Sequence, residues 1–390
     1  MRTPPPALSP ATVTTTVATI LATSGLHAKQ IESITHAVIG AVHAAQAGVA
    51  NIGRAAAAAR QTTAKHGIKQ FDRFLSNRKI KDEDAQAAYV RYVVGRRRQL
   101  VATLDWTEHA EDGQHRIALN LVTKHGRATP LLWMTVRGKD LKDKRNSYED
   151  ELLRRLHRCL PETAKEVIIL ADRGFGDTDL YDMLRGELGF YFAIRFRQGI
   201  TVEDTSGHAQ PGAGWVPSNG RARLLENAKV TGKRFEVKKV VAVKKRRMKE
   251  PWLIAADLPA NFTTADQIVS LYGRRFSCEE NFRDEKDPRF GLGTLNIRLS
   301  RPERRDRLML VLAIATTLLT LLGAAGEALG LDAKLRANTV KRRTHSLFRQ
   351  GREYMRGVLG RLRDGISQLR AKFLHLLRNH SNSHAIFAWI

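Results

Sequence analysis

The chain has 390 residues, 65 of them Lys or Arg against 39 Asp or Glu, for a net charge of +26. That length supplies two or three domains with an ample core, and the charge makes nucleic acid or another anionic surface the partner to expect. Two distant cysteines, Cys159 and Cys278, exclude a disulfide framework and a thiolate zinc site and fit a reducing cytoplasm, while the opening MRTPPPALSP lacks the apolar stretch of a signal peptide.

Residues 1–10 are Pro-rich and read as disordered. Residues 11–97 have a helical pattern. Gly53–Arg60 is Ala-rich, and Gly67–Asn77 is amphipathic, with Ile68, Phe71, Phe74 and Leu75 on one side and Lys69, Arg73, Arg78, Lys79 and Lys81 nearby. A helix-turn-helix-like DNA-binding module over 1–97 and a helical packing or dimerisation unit both fit.

At Arg96 the texture changes. Leu100–Trp106 (LVATLDW) is a β-type run ending in an acid, and His115–Val122 and Thr129–Val136 flank the turn Lys124-His125-Gly126-Arg127 as antiparallel strands. Ser147–Cys159 is helical. Glu166–Leu170 (EVIIL) is an apolar strand followed by Ala171-Asp172-Arg173-Gly174, Asp177–Leu188 is a capped helix, and Phe190–Arg197 is another strand. A meander followed by alternating strands and helices predicts an α/β fold, a mixed sheet covered by helices.

Residues 199–262 interrupt that alternation with β-prone runs at Arg234–Val243 and Trp252–Ala256, and with Lys244–Lys249 (KKRRMK) on a hairpin tip between them. This predicts an inserted β subdomain whose tip suits either a phosphate backbone or solvent. A helix then starts near Thr264. Leu308–Ala325 is apolar and long enough to span a membrane, yet Thr316, Thr317 and Thr320 interrupt it and basic residues flank it, so it reads as a buried core helix. The basic tail, 328–390, has Leu, Phe and Val at helical spacing, which suits amphipathic helices facing DNA or a second subunit better than a membrane surface.

The densest chemistry lies in Leu271–Gly291 (LYGRRFSCEENFRDEKDPRFG). On one continuous helix, Tyr272, Arg275, Glu279 and Lys286 share a face, with Phe276 and Phe282 off that stripe to pack it down. Cations for a polyanion and an acid for a metal or proton account for the stripe. A solvated face carrying the i,i+4 pair Arg275–Glu279 accounts for it too. Asp105 ends the first strand and Asp172 follows a later one. Acids at such positions face the crevice where α/β sheets place ligands, although each also suits a turn or cap. With Glu279 they make a set of three carboxylates able to hold a pair of Mg²⁺ ions for phosphoryl transfer. The chain has no P-loop, nucleophilic-serine elbow or histidine pair to compete.

Tyr272, Arg275, Glu279 and Lys286 match the spacing Tyr, two residues, Arg, three residues, Glu, six residues, Lys. This resembles the signature of the cut-and-paste insertion-sequence transposases of the DDE superfamily, and the runs Leu104-Asp105-Trp106-Thr107 and Ala171-Asp172-Arg173-Gly174-Phe175 resemble that family's two aspartate motifs. The resemblance covers about residues 67–327. It implies a ribonuclease H-like catalytic core in two parts, 98–198 and 263–327, split by the insertion at 199–262. It also implies that Asp105, Asp172 and Glu279 are catalytic metal ligands for Mg²⁺, two ions, with Mn²⁺ as a substitute. Tyr272, Arg275 and Lys286 are then contacts to phosphates near the element's end. Trp252 is either a platform for a base flipped from that end or a core tryptophan. The implied activity is hydrolysis at the ends of a bacterial insertion sequence and transfer of the freed 3′-hydroxyl into target DNA. A homodimer on paired ends would carry it out, cytoplasmic and at the nucleoid, with no membrane role. The rival readings are a site- or structure-specific endonuclease on the same fold and a non-catalytic DNA-binding protein.

Overall fold

The computed structural model describes residues 7–357, 363–378 and 386–387. Residues 1–6 of the Pro-rich opening lie outside these. Ala7 and Leu8, expected to be disordered, are instead buried, and Ser9 caps the first helix by accepting from the Thr12 amide. A Ser cap followed by Pro is a helix start, and that local chemistry outweighs the Pro-rich composition.

Helices α1 (Pro10–Leu21), α2 (Ala28–Ala44), α3 (Val49–Ala59), α4 (Ala64–Ser76) and α5 (Asp82–Val94) form the N-terminal region. The backbones of α3 and α4 nearly touch, because a Cβ on Gly67 would lie 2.2 Å from the Gly53 carbonyl oxygen. These helices share one hydrophobic core with the sheet. The Tyr89 hydroxyl crosses that boundary, donating to the Pro130 carbonyl and lying 3.0 Å from both that oxygen and Thr317 Oγ1.

Strands β1 (Gln99–His109), β2 (Gln114–Leu121), β3 (Thr129–Arg137), β4 (Glu166–Ala171) and β5 (Tyr191–Arg195) lie in the order 3-2-1-4-5. β1, β4 and β5 are parallel, while β2 is antiparallel to both its neighbours. This is the ribonuclease H-like arrangement, as predicted. α6 (Arg145–Cys159) and the short α7 (Thr178–Asp182) cover one face.

The insertion does not form a sheet of its own. β10 (Trp252–Asp257) pairs antiparallel with β5, and β9 (Phe235–Val243), β8 (Arg223–Val230), β6 (Thr201–Glu203) and β7 (Ala209–Pro211) continue outward, giving one ten-stranded sheet. The free edge of β5 takes the hairpin as an additional partner, which satisfies backbone groups that would otherwise stay exposed.

α8 (Ala265–Gly273) starts at Thr264 with a reciprocal cap from Gln267. It does not run on to Lys286. The Arg274 and Arg275 amides bond three residues back, to the Leu271 and Tyr272 carbonyls, at 3.1 and 2.9 Å, and α9 (Phe276–Lys286) begins after this tight turn. The expectation of one continuous helix is therefore corrected to two helices joined at a break.

α10 (Pro302–Ala328) is long and apolar enough to cross a membrane, and 89% of its apolar window is buried inside the fold. α11 (Leu347–Met355) crosses it at backbone contact: a Cβ on Gly323 would sit 1.8 Å from the Leu347 carbonyl oxygen, and one on Gly351 1.9 Å from that of Leu319. α12 (Arg363–Arg378) buries Leu369 and Phe373. The first helices of the basic tail are thus parts of the core, and residues 358–362, 379–385 and 388–390 of the tail lie outside the described ones. Because neither backbone has room to retreat, Gly323→Ala is expected to cost roughly 1–3 kcal/mol in urea unfolding. An unchanged midpoint would show that the α10–α11 crossing contributes nothing.

Candidate active site

β1 and β4 pair in parallel from Gln99–Glu166 to Leu104–Ala171. The next residue on each strand is an acid, Asp105 and Asp172. Equal register and two-residue alternation put both side chains on one face. That face is the one where Val101, Ile168 and Leu170 meet Ile268 and Leu271 of α8. Asp105 does not end its strand as expected, since β1 continues to His109 while pairing only with β2. The sheet therefore forks at the two aspartates, and the fork is the crevice. Asp172 also accepts from the Gly174 amide at 2.7 Å, so its turn-capping role and its place in the site coexist.

α9 lies over this fork and brings Glu279, half-exposed, to the same side. Between the acids sits Arg275, a buried side chain. Its Nη1 is 3.4 Å from Asp105 Oδ2 and its Nη2 is 2.7 Å from Glu279 Oε1. Burial pushes the Asp105 carboxyl up to about 6, against the pull of Arg275, with Asp172 and Glu279 adding to the rise. Tyr272 packs beneath, and burial pushes its hydroxyl up to about 12. Lys286 Nζ donates to Thr107 Oγ1, two residues beyond Asp105 on the same face. Burial lowers the Lys286 pKa, and Glu285 and Asp105 oppose that shift. Despite the helix break, all four residues of the spaced pattern adjoin the aspartates.

Trp252 is half-buried on β10. Its ring meets Tyr272 edge-on at 5.0 Å and lies nearly parallel to Phe276 at 6.0 Å. Phe282 packs inward as expected, but Phe276 does not, being 43% exposed with the Arg275 guanidinium 5.2 Å from its ring centre. The turn at Arg274–Arg275 rotates Phe276 outward, and Gly273 was the sequence signal for that break.

Sequence reasoning missed several supports of the site. Glu250 holds Arg173 at 2.8 Å and Arg195 at 2.7 Å, tying the basic hairpin to the Asp172 turn. Arg116 on β2 donates to both Glu285 carboxylate oxygens at 2.8 Å, a buried pair that fixes α9 to the sheet. Arg127 bonds Glu280 and Asp284 on another side of α9 at 3.2 and 3.0 Å. Local spacing carries no trace of these long-range partners.

Among the described residues, no three His, Cys, Asp or Glu side chains converge closely enough to hold a metal. The chemistry of the set nonetheless fits a hard divalent cation: every donor is a carboxylate oxygen, and a guanidinium already bridges two of the three acids as a stand-in cation.

A ribonuclease H-like sheet with three acids at its fork defines the class. Residues 118–318, just over half of the chain, match the transposase DDE domain family, and the chain belongs to that family. The matched span contains Asp172 and Glu279 and begins downstream of Asp105. The chain is also similar to a solved structure, the cryo-EM structure of the piggyBac transposase synaptic complex with hairpin DNA. That match has 10% identity and a TM-score of 0.43, covering 98% of this chain and 87% of that one. No curated protein matches.

The Asp105 environment gives a pH test. A folded carboxyl titrating near 6, against about 4 unfolded, keeps its proton longer in the folded state, so the charged form costs stability as pH rises through that window. Asp105→Asn is expected to stabilise the protein at pH 8, on the order of 2 kcal/mol, with the gap closing by pH 4. Urea titrations at both pH values measure this, and a variant weaker than wild type at pH 8 would overturn burial as the dominant influence.

Proposed function

We propose that the chain is a DNA transposase that hydrolyses a phosphodiester at each end of its element and joins the freed 3′-hydroxyl to target DNA. The observation that carries this reading is the shared register of Asp105 and Asp172 with Glu279 on the helix above them, in a chain of the transposase DDE domain family. Asp105, Asp172 and Glu279 would hold divalent metal, two Mg²⁺ ions with Mn²⁺ as substitute. When bound, the metal activates the attacking oxygen and stabilises the leaving one.

The chain's own residues supply positioning. In the free protein Arg275 neutralises Asp105 and Glu279. A DNA phosphate is a competing partner for the same guanidinium, and taking it releases both carboxylates. Lys286, turning from Thr107, is a point cation for a neighbouring phosphate oxygen. Tyr272 supports Arg275 and the Trp252 ring from below. Trp252 and Phe276 offer ring faces on which a base lifted from the duplex end stacks. Water attacks the phosphorus, the P–O3′ bond breaks and the 3′-oxygen leaves with a proton. That 3′-oxygen then attacks a target phosphate and displaces its 3′-oxygen, without nucleoside triphosphate. The net charge of +26 supplies sequence-independent affinity that falls with salt. A homodimer on paired ends, in a bacterial cytoplasm, is the assembly this reading calls for.

The test is a supercoiled plasmid carrying the DNA that flanks the gene, incubated with Mg²⁺ and protein. Wild type is expected to excise and join, while Glu279→Gln binds DNA but does neither. Cleavage without joining would favour an endonuclease, and unchanged cleavage by Glu279→Gln would remove that acid from the mechanism. A second test reads metal binding alone. Arg275→Gln in the DNA-free protein is expected to tighten Mn²⁺ binding roughly tenfold or more, followed by electron paramagnetic resonance. Equal or weaker binding would show that Arg275 does not compete for the carboxylates.

A further inference from the structure

α9 ends at Lys286, and the chain then makes a closely built turn. The Asp287 carboxylate accepts from the Arg289 and Phe290 amides, both at 2.7 Å. The Gly291 amide bonds the Asp287 carbonyl at 3.0 Å, and a Cβ there would meet the Asp284 carbonyl oxygen at 2.1 Å. Buried Arg352 donates to the carbonyls of Arg289 and Ala45, both at 3.1 Å, and the Leu292 carbonyl accepts from the Ala47 amide at 2.8 Å. The turn is thus fixed against α9, α11 and the N-terminal helices.

The side chain that this turn presents does not enter the core. Phe290 is 41% exposed. The Arg289 guanidinium lies 5.0 Å from its ring centre, and that of Arg349 on α11 lies 4.4 Å away. Among the described residues neither arginine joins an ion pair, and Arg349 Nε is buried without a hydrogen-bond partner. Ring stacking orders each guanidinium while leaving N–H edges free for the oxygens of an anion. The cluster also continues a stripe. Phe276, Glu279, Arg283 and Lys286 follow one another along α9 at helical steps, Lys286 reaching down to Thr107, and the turn carries Phe290 past the helix end. From Glu279 to the end of α9 at Lys286 the path is about 10 Å at helical rise, or roughly three phosphates along one DNA strand, and Phe290 lies in the turn past it.

We propose that Arg289, Phe290 and Arg349 form a second docking point for duplex DNA, gripping the phosphate backbone past Lys286, away from the cleavage position. The proposal rests on the transposase reading for the direction of the DNA across the site. Arg289 and Arg349 bind adjacent phosphates, and the Phe290 ring packs against the deoxyribose between them. Unpaired cations next to an ordered ring suit a polyanion with apolar sugars. A bilayer would call for a wider apolar face.

The test uses full-length protein and a duplex from the gene-flanking DNA, with binding measured across a salt series. The double variant Arg289→Gln/Arg349→Gln is expected to lose affinity and to reduce the slope of log K against log salt by roughly two, with an unchanged melting temperature. Arg349→Lys keeps its charge but loses the planar stack, so affinity falls while the slope holds. Phe290→Ala behaves in the same way. A slope unchanged in the double variant overturns the proposal, whether melting falls with it, as for a purely structural brace, or sedimentation shows a lost dimer, as for a face that meets a second copy. Failure of the transposase reading shows separately, as absent plasmid cleavage by wild type whose salt slope still depends on Arg289 and Arg349.

Discussion

The parallel pairing of β1 with β4 is the constraint on which the site depends. Leu104 opposite Ala171 leaves Asp105 beside Asp172, one residue beyond the last shared pair. A slip of one residue would turn one aspartate toward α6 and the opposite core. Several features prevent that slip. Both faces of the two strands are buried, so each alternate residue has a core to fill. Beyond Leu104, β1 keeps a partner only in β2, which holds the strand straight past the fork while β4 turns away through Arg173-Gly174. The opening between the acids is a product of strand pairing and needs no special loop.

A site of this kind stands against the stability of its own fold. Asp172 and Glu279 both act on Asp105, which is buried enough to have its carboxyl raised to about 6. Without a cation the free protein would hold that repulsion unrelieved. Arg275 relieves it, and its placement follows from the break between α8 and α9. The tight turn at Arg274–Arg275 puts the guanidinium over Asp105 while Glu279, one helical turn on, reaches back to it. Arg275 thus lies between two of the three acids in the free protein. Under the proposed function, exchange of Arg275 from carboxylate to DNA phosphate makes metal binding conditional on substrate.

Much of this was legible in sequence because its determinants are local. EVIIL followed by Ala-Asp-Arg-Gly marks a buried strand and a turn, and Thr264 with Gln267 marks a capped start. The threonines of α10 face into the protein, where Thr317 bonds its own helix at Ala313 and meets Tyr89. What was not legible depends on partners distant in the chain. The Arg116–Glu285 pair joins residues 169 apart, and nothing near either one marks it. β6 and β7 are three-residue strands of mixed polarity, β6 pairing with β8 and β7 with β6, and their own pattern does not mark them. The outward Phe276 was mistaken because periodicity was continued through Gly273, where the helix in fact tightens and restarts.

α9 connects these separate lessons. One end carries the acid and the arginine of the site, its middle is pinned by Arg116 and Arg127, and its last turn leads into a loop held by Ala45, Ala47 and Arg352. A helix fixed on that many sides cannot shift at one end alone, because interiors packed at this density transmit displacement. The N-terminal helices and α11 therefore bear on Glu279 even though neither touches it. The N-terminal region shares a core with the sheet instead of hanging from a linker. Glu279 thus sits on a helix held from both ends, and Phe276, Glu279 and Arg283 mark the side of that helix that remains exposed.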